Sequence, residues 1–181
     1  MYLMFLADGF EETEALVTLD MLRRAAVDIV TVGVGSMTVE GAHGIKVVAD
    51  IAENDFDLSE VEGIILPGGM PGTENLYASG AVMSAVSYCI EKGLLVCAIC
   101  AAPIILGRRG YLDGKCAVCF PGFEQELNGA EVVAAECVVC GNIITAKGAG
   151  CVFEFSHAII SYIKDSKCAD NVIQVIQHKG L

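Results

Sequence analysis

The sequence predicts an α/β fold in which a mostly parallel sheet has helices on both faces. Three observations support this prediction: short apolar runs recur, segments with helical spacing of apolar residues separate them, and Gly or Pro ends several runs. Strands buried on both faces have continuous apolar sequences, and they alternate with helices in parallel sheets. No repeat, linker or low-complexity segment interrupts the chain, so we expect a single domain over residues 1–181.

The first half of the chain contains the clearest elements. An apolar run at 2–6 predicts a buried strand that ends before Asp8 and Gly9. Residues 12–25 place apolar side chains at helical spacing, with two arginines in the last turn, where cations suit the helix dipole. Further strands are predicted at 28–34, 46–49, 63–66 and 94–98, with a helix at 81–92.

The pattern changes after residue 114. Short strands are predicted at 116–120, 132–139 and 143–145, and Gly141-Asn142 is a plausible hairpin turn before the last of them. Helical spacing returns at 153–163, after a glycine-rich loop. The second half therefore adds further short strands and a helix to the sheet.

The charge and cysteine counts restrict the partners. The chain has 23 acidic and 11 basic side chains, and its net charge of -12 repels nucleic acid and anionic membranes. Its apolar stretches end well before the roughly 18–20 residues that a bilayer requires, and acids follow Met1 too closely for an export signal. An odd number of cysteines, nine, favours reduced thiols. We expect a soluble, cytoplasmic protein without nucleic-acid or membrane partners.

Cys100 is the strongest candidate for a reactive group. It follows the apolar run at 94–98 and precedes small residues and Pro103, which suits the first turn of a helix. A cysteine at a strand-to-helix turn lies near the positive end of the helix, so we expect a lowered pKa and a reactive thiolate. The N–H groups of that helix start can also stabilise an oxyanion. Cys97 is expected inside the strand, as a core thiol.

A glycine pair marks a second loop near this position. Pro67, Gly68 and Gly69 end the predicted strand at 63–66. Ligands bind at the carboxyl ends of parallel strands, and glycine lets backbone N–H groups approach a ligand closely. An ordinary loop is the alternative, and the position relative to Cys100 favours the binding loop.

Five motifs follow one another along the chain, at 7–14 (ADGFEETE), 66–69 (LPGG), 98–103 (AICAAP), 120–124 (FPGFE) and 145–150 (TAKGAG). In this order and spacing they resemble the ThiJ/PfpI family, in the branch of the parkinsonism-associated deglycases. The resemblance implies a flavodoxin-like three-layer sandwich related to class I glutamine amidotransferases. It also implies that the motifs meet at one site.

The resemblance assigns roles to individual residues. It implies that Cys100 is the nucleophile, that Glu14 hydrogen-bonds its sulfur, and that the N–H groups of Gly69 and Ala101 form an anion pocket beside Gly68. A carboxyl buried beside developing negative charge has a raised pKa and stays protonated. From the residues alone, Glu14 is one of three acids that the helix dipole favours at this helix start.

Several positions depart from the family pattern. Ala101 stands where the protease-like members have a histidine, so a Cys–His dyad of neighbours is absent and peptidase activity is disfavoured. Phe120 stands where the human protein has a histidine near the pocket. His43 replaces an arginine often found at the subunit boundary of the site, and its predicted loop makes it the histidine to test. Cys151 stands where a threonine is usual.

The paired cysteines raise the possibility of a metal site. The spacing of Cys116, Cys119, Cys137 and Cys140 falls within that of a four-cysteine zinc site. Both pairs lie in apolar, strand-like sequence, and side chains three apart on a strand point to opposite faces. We interpret these thiols as core residues and expect no metal. No Gly-x-Gly-x-x-Gly or Walker A pattern occurs, so we also expect no cofactor.

These observations and the resemblance predict thiol chemistry on small reactive carbonyl compounds. The predicted activity is of the glyoxalase or deglycase type, converting methylglyoxal or its adducts to lactate in protection against stress. The alternative is a redox sensor or chaperone in which Cys100 is oxidised to sulfinate without turnover. The helix at 12–25 is similar to the interface helix of the family, so we expect a homodimer with Glu14 near its two-fold boundary.

Overall fold

The protein is described by a computed structural model that covers residues 1–180, and it forms eleven strands. In chain order they are β1 (Tyr2–Leu6), β2 (Ile29–Gly33), β3 (Thr38–Glu40), β4 (Lys46–Val48), β5 (Ile51–Ala52), β6 (Gly63–Leu66), β7 (Leu95–Ile99), β8 (Cys116–Ala117), β9 (Glu131–Val132), β10 (Cys137–Cys140) and β11 (Ile143–Ala146). Seven of them make one sheet, in the order β10-β11-β7-β6-β1-β2-β5. Every neighbouring pair in it is parallel except β10 and β11. The mostly parallel sheet is thus confirmed.

Six α-helices cover the two faces of this sheet. They are α1 (Glu12–Arg24), α2 (Gly72–Ala78), α3 (Gly80–Lys92), α4 (Pro103–Arg108), α5 (Val152–Ile163) and α6 (Ser166–Val175). The first apolar core contains residues of α2, α3 and α4, and the second contains residues of α1, α5 and α6. The arrangement is the flavodoxin-like three-layer sandwich. No helix within residues 1–180 is both long enough and apolar enough to span a membrane.

The central strands are buried on both faces because their side chains alternate between the two cores. In β1, Leu3 and Phe5 belong to the core beneath α3, whereas Met4 and Leu6 belong to the core beneath α5. All four side chains are fully buried. Burial of a side chain of this size contributes about 1.5–3 kcal/mol. This double burial explains why the strands appear in the sequence as unbroken apolar runs.

Three predicted strands differ from the structure. The single strand predicted at 132–139 is wrong: β9 pairs with β8 and β10 pairs with β11, so the chain bends between them. The strand predicted at 46–49 forms as β4, but it pairs only with β3 in a separate hairpin. The strand predicted at 116–120 ends after β8, because the N–H of Val118 donates to the side-chain Oγ1 of Thr145 at 3.0 Å instead of to a backbone carbonyl of a neighbouring strand.

The other predicted elements are confirmed to within one residue at each end, and Gly141-Asn142 joins β10 to β11. Helices α2 and α6 and strands β3 and β5 were not predicted. The sequence does contain a start signal for α6, since the carboxylate of Asp165 accepts a hydrogen bond from the N–H of Cys168 at 2.7 Å. Strand β5 has two residues, too few for a periodicity to be read.

The strand order brings three loops together at the carboxyl ends of the central strands. The connection from β1 leads to β2 on one side, whereas β6 pairs on the other side, so the topological switch point lies at the carboxyl ends of β1 and β6. The loops after these strands contact each other: the N–H of Glu11 donates to the carbonyl of Gly68 at 2.9 Å. Strand β7 lies beside β6 and ends next to them, at Cys100. Ligands of open α/β sheets bind in such a crevice.

Candidate active site

Cys100 occupies a strained turn between β7 and α4. Its φ is +63°, in the left-handed region that costs a residue with a side chain about 1–2 kcal/mol. The backbone holds this conformation from both sides, since its N–H donates to the carbonyl of Ala146 at 2.9 Å and its carbonyl accepts from the N–H of Phe120 at 2.8 Å. The side chain is half-buried. The strand-to-helix turn predicted for Cys100 is therefore confirmed.

Glu14 lies against Cys100 from the first turn of α1. The helix begins with Glu11 at its N-cap, and the carboxylate of that residue accepts from the N–H of Glu14 at 2.6 Å. The Glu14 side chain is buried, and its Oε2 accepts from the N–H of Gly68 at 2.8 Å. Its Oε1 is also buried and has no conventional hydrogen-bond partner among residues 1–180. Of the three acids at this helix start, Glu14 is the one that faces the sulfur.

Burial raises the pKa of Glu14 to about 7. The Cys100 thiol and the N–H of Gly68 oppose that rise, and the negative charge of Glu11 adds to it. A carboxyl with this pKa is partly protonated at neutral pH. It can therefore both accept and return a proton under physiological conditions.

The pKa of Cys100 is raised to about 12, which differs from the sequence-based expectation of a lowered value. Burial is the main cause, and the neighbouring Glu14 carboxylate adds to it. The backbone N–H groups of Gly69 and Ala101 act on the sulfur in the opposite direction and lower its pKa. Burial and the adjacent acid outweigh the effect of the helix start on this pKa. Cys100 and Glu14 thus share one negative charge, and a proton that leaves the sulfur has a carboxylate beside it.

The two glycines after β6, Gly68 and Gly69, have different roles. A Cβ on Gly68 would lie 2.7 Å from the Cβ of Cys100 and 2.8 Å from Oε2 of Glu14, so no side chain fits there. The expectation was that its N–H would donate to a ligand. Instead this N–H donates to Glu14, so Gly68 positions the acid. Gly69 has a φ of +89°, which turns its N–H toward the sulfur.

Phe120 separates Cys100 from a cavity of about 370 Å³. Its N–H bonds to Cys100, its ring is 47% exposed, and it lies beside Phe123 with ring centroids 6.5 Å apart. The backbone of Ala149, on the facing loop, interacts with the Glu14 carboxyl. The cavity is lined by Phe120, Pro121, Glu136, Lys147 and the loop at 148–151. Through Phe120 and Ala149 this cavity adjoins the residues that contact Cys100 and Glu14.

The sequence profile of the DJ-1/PfpI family matches residues 2–162. The chain belongs to this family. The fold agrees: a cysteine-to-alanine mutant of a DJ-1 superfamily protein from Salmonella typhimurium superposes with a TM-score of 0.93 and 34% identity, over 99% of this chain and 98% of that one.

Three members of the DJ-1/PfpI family illustrate the range of relatives. Protein DJ-1 homolog A of Arabidopsis thaliana is 35% identical over 94% of this chain, which spans only 45% of that longer protein. A glutathione-independent glyoxalase of Caenorhabditis elegans is 27% identical, with 91% of this chain and 88% of the relative covered. A deglycase of Pyrococcus abyssi is 26% identical, with 87% and 96% covered.

In this DJ-1/PfpI chain, His43 is not placed beside Cys100. Its Nδ1 lies 2.7 Å from Oε2 of Glu12, and its backbone N–H donates to Oε1 of the same carboxylate at 2.7 Å. The pair ties the loop after β3 to the start of α1. Glu11, Glu12 and His43 each place one possible ligand atom within 4.8 Å of the others. Because hydrogen bonds already engage both carboxylates, we derive no metal site from them.

The four paired cysteines do not converge. Cys119 lies in the core beneath α3, whereas Cys137 packs against the core beneath α5, on the opposite face of the sheet. All nine cysteines are free thiols. Within residues 1–180, no group of three cysteines comes together as metal ligands would.

Two residues of the Glu14 environment had no predicted role there. Glu11 caps α1 through the N–H of Glu14, and Ala149 faces the carboxyl from the far loop. Glutamate is not among the residues preferred at an N-cap, so the sequence contains no clear signal for the capping role of Glu11. Ala149 lies in the motif at 145–150, but its contact with Glu14 depends on the fold.

Proposed function

We propose that this protein is a cysteine-dependent glyoxalase or deglycase-type enzyme that converts methylglyoxal, or its adducts, to lactate. One observation carries the proposal: a buried carboxyl whose pKa is about 7 lies against a half-buried thiol that two backbone N–H groups approach. This is a nucleophile with a base and an oxyanion site. The names of the nematode and archaeal relatives support the same activity.

The first step joins Cys100 to the aldehyde. The sulfur attacks the aldehyde carbon while the Glu14 carboxylate takes the thiol proton. The aldehyde oxygen becomes an alkoxide near the N–H groups of Gly69 and Ala101, and it takes the proton back from Glu14 to give a hemithioacetal, which restores the carboxylate. A thiol with a high pKa becomes a nucleophile here because its proton has an adjacent acceptor.

The second step moves hydrogen between the two carbons. Glu14 removes the proton from the former aldehyde carbon, which gives an enediol, and returns a proton to the neighbouring carbon. The product is a lactoyl thioester on Cys100. Water hydrolyses it, so that methylglyoxal plus water gives lactate and the free thiol. The overall reaction needs no redox cofactor.

The redox-sensor alternative has less support from this geometry. Oxidation of Cys100 to a sulfinate requires an accessible thiolate, whereas burial and Glu14 hold the thiol protonated at rest. A base whose pKa lies near neutrality is the feature that proton transfer requires. Turnover therefore uses the Cys100 thiol, the Glu14 carboxyl and the two backbone N–H groups together.

The purified protein is expected to form lactate from methylglyoxal without glutathione. The measurement is enzymatic detection of lactate after treatment with a chelator, so that trace metal does not contribute. Heat-denatured protein at the same concentration measures the thiol-dependent background. If the native protein does not exceed this background, the proposed activity is wrong.

We also propose that the enzyme is a homodimer in a reducing cytoplasm. The hairpin of β3 and β4 supports the dimer, since Val48 in β4 and Ile45 just before it are 70% and 52% exposed. The nine free thiols support a reducing compartment. Light scattering is expected to give twice the chain mass of 19.0 kDa; a mass equal to that of one chain contradicts the dimer.

A further inference from the structure

A second cavity, of about 470 Å³, extends the space beside the Cys100 site. It shares Glu136 and Lys147 with the cavity that Phe120 lines, so the two cavities adjoin, and we treat them together as one groove. It is lined by Val118, Glu124, the segment at 132–136 and Lys147. Because a water molecule takes up about 30 Å³ of liquid, methylglyoxal, with its five non-hydrogen atoms, needs roughly 100–150 Å³. The groove is therefore several times larger than this substrate.

The walls of this second cavity combine apolar side chains with acids. The segment at 132–135 and Val118 supply only valine and alanine, whereas Glu124 and Glu136 supply carboxylates. A long basic side chain matches this combination, since its aliphatic stem packs on apolar surface and its head pairs with an acid.

The charges along the groove do not cancel. Nζ of Lys147 lies 3.7 Å from Oε1 of Glu136, and the other oxygen of Glu136 accepts from the Cys151 thiol at 2.6 Å. Glu136 is thus already satisfied. The carboxylate of Glu124 accepts only the N–H of Gly122, at 2.8 Å, and forms no ion pair with a cation of residues 1–180. The unbalanced charge in the groove is the negative charge of Glu124.

We propose that this groove is a subsite for a guanidinium or ammonium side chain, with Glu124 as its specificity-determining residue. On the basis of the proposed function, the preferred substrate is then a carbonyl adduct carried by a basic peptide, with its modified atom at Cys100 and a cationic side chain at Glu124. The net charge of -12 favours the approach of such a molecule.

The test compares two inert probes that differ in charge alone. N-acetyl-argininamide carries a guanidinium, and N-acetyl-citrullinamide is its neutral isostere. Titration at low ionic strength, followed by backbone NMR shifts, is expected to show about 5- to 10-fold tighter binding of the arginine probe. The shifts are expected at 132–135. Glu124→Gln should reduce the ratio to near one while keeping the bond to Gly122.

Glu91→Gln is the matched control. It removes one negative charge from an exposed position of α3, outside the groove, so it should keep the preference for arginine. Equal binding of the two probes, a preference that survives in Glu124→Gln, or shifts confined to other surfaces would overturn the subsite. Neither probe is turned over, so this result is independent of lactate formation. An arginine preference without lactate would reject the proposed activity and leave the subsite in place.

Discussion

Replacing Cys100 with serine is expected to lower lactate formation by a factor on the order of 10³ or more, to the uncatalysed background. Serine keeps the shape of the side chain, but its hydroxyl is a far weaker acid than a thiol and forms no hemithioacetal or thioester. The Glu14 carboxylate, with a pKa of about 7, is too weak a base to activate it. The measurement is the initial rate of lactate formation at equal protein concentration.

Folding should not account for this loss. Serine has the same backbone strain at a φ of +63° as cysteine has, so the midpoint of thermal unfolding should stay within a few degrees of wild type. Cys168→Ser is the control, because this half-buried thiol in α6 lies far along the chain from the site and belongs to no part of it. A Cys100→Ser variant that kept a tenth of the wild-type rate would show that another group is the nucleophile.

The sheet could be predicted because its strands are buried on both faces. The runs at 63–66 and 95–99 are apolar throughout, and few other structures bury a run of that length from both sides. The segment at 132–139 gave a wrong prediction for the opposite reason. Its residues are partly exposed, so their sequence does not fix which strand they pair with, and two different partners divide it.

Parts of the candidate site were predictable from local sequence and parts were not. The turn at Cys100 follows from a strand, small residues and a proline. Which acid of the first turn reaches the sulfur depends on the direction in which α1 crosses the sheet, and the residues alone left this open. The prediction of a lowered pKa for Cys100 was wrong for a related reason. Burial by neighbouring loops outweighs the effect of the helix start on this pKa, and burial cannot be read from the local sequence.

His43 shows the limit of reasoning from position in a loop. The residue lies in a loop, as expected, and is exposed, but its ring pairs with Glu12 at the start of α1 instead of turning toward Cys100. Glu12 is itself buried, so the histidine satisfies a charge that would otherwise be isolated. The pairing with Glu12 indicates that His43 has a structural role, which is to join the β3–β4 loop to α1.

Glu14→Gln is expected to lower kcat/KM for methylglyoxal by about 10²–10⁴-fold, the usual contribution of a general acid or base. The amide retains the shape and the acceptor for the N–H of Gly68, but it cannot take a proton from sulfur or carbon. In the wild type the ionised carboxylate is the active form, so kcat/KM should rise with pH through about 7. The variant should lose this rise, which the pH profile between 5 and 8 would show.

Glu14→Gln should also change how the free energy of unfolding depends on pH. Because the pKa of Glu14 is raised from 4.5 to about 7 on folding, the native state binds more protons than the unfolded state between these values, and the wild type loses stability as pH rises through that window. The loss amounts to about 3 kcal/mol, and it should be missing in Glu14→Gln but present in the control Glu91→Gln. Urea unfolding at pH 5 and pH 8 measures it. If Glu14→Gln keeps both the rise in kcat/KM and the loss of stability, another group titrates there and Glu14 is not the base.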